Sequence, residues 1–160
     1  MKKNILLIDD NKYLLDVFVI RLTMYLKNYK ILTARSGKGG IDILKSLSVA
    51  FVLTDLDMPE MDGYQFIEYA KQHHPATPVF AMSNDCSSAI ARRLKALGVT
   101  DCIEKPFLVE EVTHRIVKLL EGKKGPQRIP AGHEQSKEHG HSLSAFHGRD
   151  RREISRTRMS

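Results

Sequence analysis

The sequence predicts an α/β fold: a doubly wound parallel sheet of five strands with helices on both faces. Three observations carry this. Short runs that are apolar throughout alternate five times with segments of helical period. Strands with one wet face alternate apolar and polar, whereas strands covered on both faces read as unbroken apolar runs, so the sheet is parallel and buried. The polar residues that end these runs fall just after the strands, where an open parallel sheet gathers its functional groups.

Taken in order, "NILLID" (4–9) reads as a strand and "YLLDVFVIRLTMYLKN" (13–28) as a helix. "KILTA" (30–34) is the second strand, "RSGKGG" (35–40) a turn and "IDILKSL" (41–47) the second helix. "FVLTD" (51–55) is the third strand, and after a Pro-Gly loop "YQFIEYAKQHH" (64–74) is the third helix. Asp62, before Gly63, reads as a turn and helix-cap residue. "PVFAMS" (78–83) is the fourth strand, with Pro78 where a strand start tolerates proline. "SSAIARRLKALG" (87–98) is a helix closed by Gly98, "DCIEK" (101–105) a short fifth strand, and "VEEVTHRIVKLLEG" (109–122) a helix with acids in its first turn. "SGKGG" lacks the spacing of a phosphate-binding loop, and no Ser or Thr follows Lys38.

Charge divides the chain. Residues 1–121 hold 16 Lys/Arg against 15 Asp/Glu, and residues 122–160 hold 9 against 4, so most of the net +6 belongs to the tail. The tail has no apolar periodicity and cannot bury enough surface to offset its ordering entropy, so residues 122–160 are expected to be disordered. Its histidines (His133, His139, His141, His147) have no cysteines or scaffold around them for a metal, and its arginines read as solvated. A basic pI therefore does not make the folded part a nucleic-acid surface. Cys86 and Cys102 are too few for a disulfide framework and are expected as free thiols of a reducing cytosol. The opening apolar run, Ile5–Ile8, falls short of the about 7–15 residues of a secretory core. Nothing reaches the roughly 20 apolar residues of a membrane span. A soluble cytoplasmic protein is the expectation.

The first strand runs into Asp9 and Asp10, the third into Asp55, the fourth into Ser83, and the fifth into Lys105. In a parallel sheet these endings share one edge. Carboxylates crowded this way need a cation between them, and an all-oxygen site suits Mg²⁺. With the ion and Lys105 sharing the field, one carboxylate can act as nucleophile toward phosphorus and form an acyl phosphate.

The motifs "LLIDD", "DLDMPEMDG", "PVFAMS" and "EKPF", in this order and spacing, resemble the receiver domain of bacterial two-component response regulators, the CheY-like family. The resemblance covers residues 4–120 and implies strand order 2-1-3-4-5. It implies that Asp55 is phosphorylated, that Asp10, Asp55 and the main-chain carbonyl of Asp57 ligate Mg²⁺, and that Asp9 holds water and outer contacts. Ser83 would be the switch hydroxyl and Lys105 the phosphoryl partner, with a cis Lys105–Pro106 bond. Asp57 and Asp85 would face the phosphoryl pocket and tune the lifetime of the acyl phosphate, and Asn84 would partly shield it. Cys102 stands where the family often has an inward-swinging aromatic, and is expected simply to pack.

The implied function is a stand-alone phospho-switch, not an enzyme. A histidine kinase or histidine phosphotransferase would load Asp55, and altered protein–protein contacts would carry the output, in chemotaxis or a phosphorelay. The first helix is apolar at 11 of 14 positions from Tyr13 to Leu26, so Leu14, Val17 and Met24 are expected to extend past the core, as a wider core face or a docking patch. An Asp-x-Asp phosphatase reading of Asp55 and Asp57 requires the nucleophile strand first, the reverse of the order here. A nucleic-acid adaptor acting through the tail would show salt-sensitive binding lost with residues 122–160.

Overall fold

The computed structural model describes residues 2–59, 61 and 63–122. The expectations for Asp62 and for residues 123–160 lie outside the described residues. Five strands and five helices alternate: β1 (Lys3–Ile8), α1 (Lys12–Tyr25), β2 (Tyr29–Ala34), α2 (Gly37–Ser46), β3 (Val49–Asp55), α3 (Gly63–His73), β4 (Val79–Ser83), α4 (Ser88–Ala96), β5 (Asp101–Glu104) and α5 (Val109–Glu121). The strands form one parallel sheet in the order β2-β1-β3-β4-β5, as the sequence led one to expect.

Side chains of a strand alternate between faces, and both faces here are apolar. Ile5, Leu7, Phe51, Leu53, Phe80 and Met82 pack under α1 and α5 with Phe18, Leu22 and Ile116. Leu6, Ile8, Val52, Val79 and Ala81 pack on the other face with Leu44, Phe66, Ile67 and Leu94 of α2, α3 and α4. Each large apolar side chain buried this way contributes about 1.5–3 kcal/mol against exposure. This is why the strands read as unbroken apolar runs.

Capping follows local chemistry. Asn11 caps α1 by accepting from the amides of Tyr13 at 3.0 Å and Leu14 at 3.2 Å. At the end of α4, Val99 N donates to Leu94 O (2.9 Å) and Gly98 N to Lys95 O (2.9 Å). That paired pattern places Gly98 at a φ of +82°, which glycine alone adopts without strain. Among the described residues no helix is long and apolar enough to cross a membrane.

Two expectations are corrected. The stretch after Ser36 is not a turn: α2 begins at Gly37, and Ser36 Oγ caps it through Gly39 N at 3.1 Å. Glycines score poorly as helix formers, but a Cβ on Gly40 would run into Ile8 and Phe66, so tertiary packing selects glycine there. The cysteines are not free thiols: Cys86 and Cys102 form a disulfide, with their Cα atoms 6.2 Å apart. They are 16 residues apart in sequence and become neighbours because β4 and β5 pair. Lys105–Pro106 is cis, as anticipated.

Candidate functional site

The register explains how distant residues meet. Ile8 lies opposite Thr54, so Asp9 follows beside Asp55; Asp55 lies opposite Met82, and Ser83 opposite Glu104, next to Lys105. The ladders extend one residue past the strands through Asp9 N to Ala34 O (3.2 Å), Leu56 N to Met82 O (2.9 Å) and Lys105 N to Ser83 O (2.8 Å). The backbone at each of these chain exits is therefore fixed by the sheet.

Carboxylate oxygens of Asp9, Asp10 and Asp55 all lie within 4.8 Å of one another. Asp9 and Asp55 are buried, and Asp10 is exposed. Lys105 Nζ lies 2.9 Å from Asp55 Oδ2 and 3.7 Å from Asp9 Oδ2. One ammonium, in contact with two of these three carboxylates, leaves a surplus of negative charge. Asp9 shows the consequence: burial raises its pKa, the amide of Asn11 and Lys105 pull it down, and Asp55 and Asp10 push it up again. Its Oδ1 accepts from Asn11 N at 2.8 Å, but its buried Oδ2 has no hydrogen-bond donor among the described residues. An orphaned buried oxygen among three hard oxygen donors fits a divalent cation such as Mg²⁺.

The loop after β3 is shaped by Gly63. Its amide donates to Leu56 O at 3.0 Å, and a Cβ there would overlap the Asp55 carbonyl and Leu56 Cα. Asp57 N donates to Asp55 Oδ1 at 3.2 Å, holding the second oxygen of that carboxylate.

The carboxylate of Asp57 stands apart from the acidic cluster. Its Oδ2 accepts from Asn84 N at 3.2 Å and Asn84 Nδ2 at 2.9 Å, which ties the loop after β3 to the loop after β4. Asp85 accepts from Ser87 N at 2.6 Å, at the entry to α4, while its own amide donates to Ser83 Oγ at 3.2 Å. Asn11 went unnoticed in the sequence, although an Asn just before an apolar helical run is a cap signature and its amide here also holds Asp9.

Comparison with known proteins agrees with this geometry. The model for the response regulator receiver domain matches residues 5–117. The chain is 32% identical over 135 residues to the transcriptional regulatory protein GlrR of Escherichia coli (strain K12), covering 84% of this chain and 29% of that protein. It is 27% identical over 121 residues to the cell cycle response regulator CtrA of Brucella ovis, covering 76% of this chain and 51% of that protein. The chain thus spans about half or less of the length of these relatives. Among solved structures it is similar to a CheY-like receiver domain protein from Methanospirillum hungatei JF-1, with TM-score 0.68 and 21% identity, over 76% of this chain and 95% of that one. The chemotaxis response regulator CheY4 of Vibrio cholerae matches at TM-score 0.67 and 21% identity, over 75% of this chain and 100% of that one. At such identities the structures speak for the fold alone. The chain belongs to the response regulator receiver domain family of two-component signalling, a phosphoacceptor switch rather than an enzyme.

Proposed function

We propose that Asp55 accepts a phosphoryl group from a phosphohistidine in a Mg²⁺-dependent reaction, and that the phosphorylated form signals through altered protein–protein contacts. The observation that supports this most directly is Lys105 Nζ at 2.9 Å from Asp55 Oδ2, beside the donorless buried oxygen of Asp9. Asp9, Asp10 and Asp55 would hold the ion, with the carbonyl of Asp57 as a further donor. When bound, it supplies positive charge for the phosphoryl oxygens.

An Asp55 carboxylate oxygen attacks phosphorus; the O–P bond forms as the donor's P–N bond breaks, and the electron pair leaves with the imidazole. Before transfer Lys105 pairs with one Asp55 oxygen, and the Asp57 amide orients the other. After transfer Lys105 is placed to take a phosphoryl oxygen. Ser83, nearly buried at the end of β4, offers its hydroxyl proton to another.

Receiver domains are phosphorylated by histidine kinases. In this reading the kinase or a histidine phosphotransferase docks on the exposed apolar row of α1, and the face of α4, β5 and α5 carries the output. Residues 1–121 act as the receiver and residues 122–160 as an appended tail, in the cytoplasm, in a chemotaxis-type or phosphorelay pathway.

The test is treatment of the chain with acetyl phosphate and Mg²⁺, followed by intact mass. One phosphoryl group is expected on the wild type and none on Asp55→Asn. A group that survives the substitution, or its appearance with the metal chelated, would overturn the assignment.

A further inference from the structure

Cys86 lies in the loop between β4 and α4, three residues after Ser83 and two before the first residue of α4. Cys102 lies in β5, three residues before Lys105. Their disulfide therefore fastens the entry of α4 to β5. Other holds on this segment are hydrogen bonds: Asp85 N to Ser83 Oγ, Ser87 N to Asp85 Oδ1, and the two from Asn84 to Asp57 Oδ2, with main-chain bonds at its ends from Lys105 N to Ser83 O and Ala91 N to Ser87 O. Asn84, Asp85 and Ser87 are all exposed. Between its ends the segment beside the acceptor is held by exposed hydrogen bonds, and the disulfide is the covalent tie across it.

Both cysteines are half-buried and line a groove of about 460 Å³ together with Ala91, Lys95 and Asp101. The groove gives a small or extended thiol an approach to the half-buried pair, and its lining carries one cation, Lys95, and one carboxylate, Asp101. In a reducing compartment a disulfide is usually transient and redox-sensing.

We propose that Cys86–Cys102 is a reversible redox site that controls loading of Asp55: the disulfide clamps the loop after β4, and the dithiol releases it. The inference rests on the phosphoacceptor reading of Asp55. An esterified Asp55 brings three new acceptor oxygens to the Ser83–Asn84 segment, and meeting them requires that segment to shift. The clamp resists the shift, so the oxidised chain loads more slowly. Reduction needs a dithiol. One thiolate attacks a cysteine sulfur and breaks the S–S bond, the displaced thiolate takes a proton, and the second thiol resolves the mixed disulfide. Two electrons and two protons pass to the chain, and the dithiol leaves as its own disulfide. A low-molecular-weight disulfide such as oxidised glutathione reverses the exchange.

The full 160-residue chain, equilibrated with oxidised glutathione or with dithiothreitol and then freed of it, is loaded with acetyl phosphate and Mg²⁺. Thiols are counted by alkylation mass and phosphoryl groups by intact mass. The oxidised chain should show no alkylated thiol and load at least about 5-fold more slowly, the lower end of ordinary coupling between sites. Cys86→Ser and Cys102→Ser should each load like the reduced wild type and ignore dithiothreitol. Equal or faster loading of the oxidised wild type would leave the bond a mere staple and overturn the proposal, as would two alkylatable thiols after oxidation. The wild-type comparison stands even if a variant folds poorly. Failure to load in either redox state, with the thiols counted as expected, overturns the acceptor reading itself and this inference with it.

Discussion

At Asp9, burial and partnership pull in opposite directions. Removal from water raises its pKa above the ordinary value of 3.8, and its neighbours offset this only in part. A carboxyl whose folded-state pKa is raised holds more protons folded than unfolded, so the stability it contributes falls as pH rises from about 3.8 through the folded-state value. The metal-free wild type should lose stability across that window, and Asp9→Asn should not. In chelator at neutral pH the variant should be about 1–2 kcal/mol more stable, because a poorly compensated buried charge has gone. Mg²⁺ should raise the melting temperature of the wild type and do so far less for Asp9→Asn. Thermal denaturation with and without the ion checks both; equal Mg²⁺ shifts would remove Asp9 from the ion's surroundings. Asp9, Asp10, Asp55, Ser83 and Lys105 were readable as a group because a parallel sheet sends every strand end to one edge. The Asp57–Asn84 pairing was not, since it depends on two loops meeting rather than on strand direction.

Among the elements, the start of α3 is closely specified at Gly63. Gly63 sits against the Asp55 carbonyl, so Gly63→Ala must push the backbone of β3 or of the helix aside. A loss of about 3 kcal/mol is expected, at the upper end for overpacking because backbone gives less than side chain. Loading of Asp55 should fall as well. Urea unfolding measures the first and intact mass the second; an unchanged midpoint would show that the loop has slack. Every strand and helix was visible in the sequence as a change of period. The start of α2 was hidden because "SGKGG" carries turn residues, and only the side chains of Ile8 and Phe66 reveal why glycine lies inside that helix. The cysteine pair was missed for another reason: two cysteines were weighed by their number and expected compartment, not by the adjacency of β4 and β5 that brings them together.

For the whole molecule, the surface of interest is on α1, where an apolar row is exposed among the described residues. Tyr13, Val17, Ile20 and Met24 are exposed, Ile20 at 63% and Tyr13 at 82%, and their spacing puts them in one row. Leu14, expected with them, instead packs against the core under α1 and α5. The row begins next to Asn11 and Asp9, so a partner lying along it reaches the acidic edge. Ile20→Glu should alter stability by no more than about 0.5 kcal/mol. It should leave acetyl phosphate labelling unchanged while slowing transfer from a phosphohistidine protein by about tenfold, as removal of a central apolar anchor does. Equal transfer rates would place the docking surface elsewhere. The geometry of the acidic edge has one more consequence. The first strand brings two of its acids and the last strand its ammonium, with the others between them in sequence. No half-built sheet contains that set, and pairings between remote strands are the slow part of folding. A copy stalled on its way to the native state therefore has nowhere to receive the message, and competence to respond certifies that the chain has finished folding.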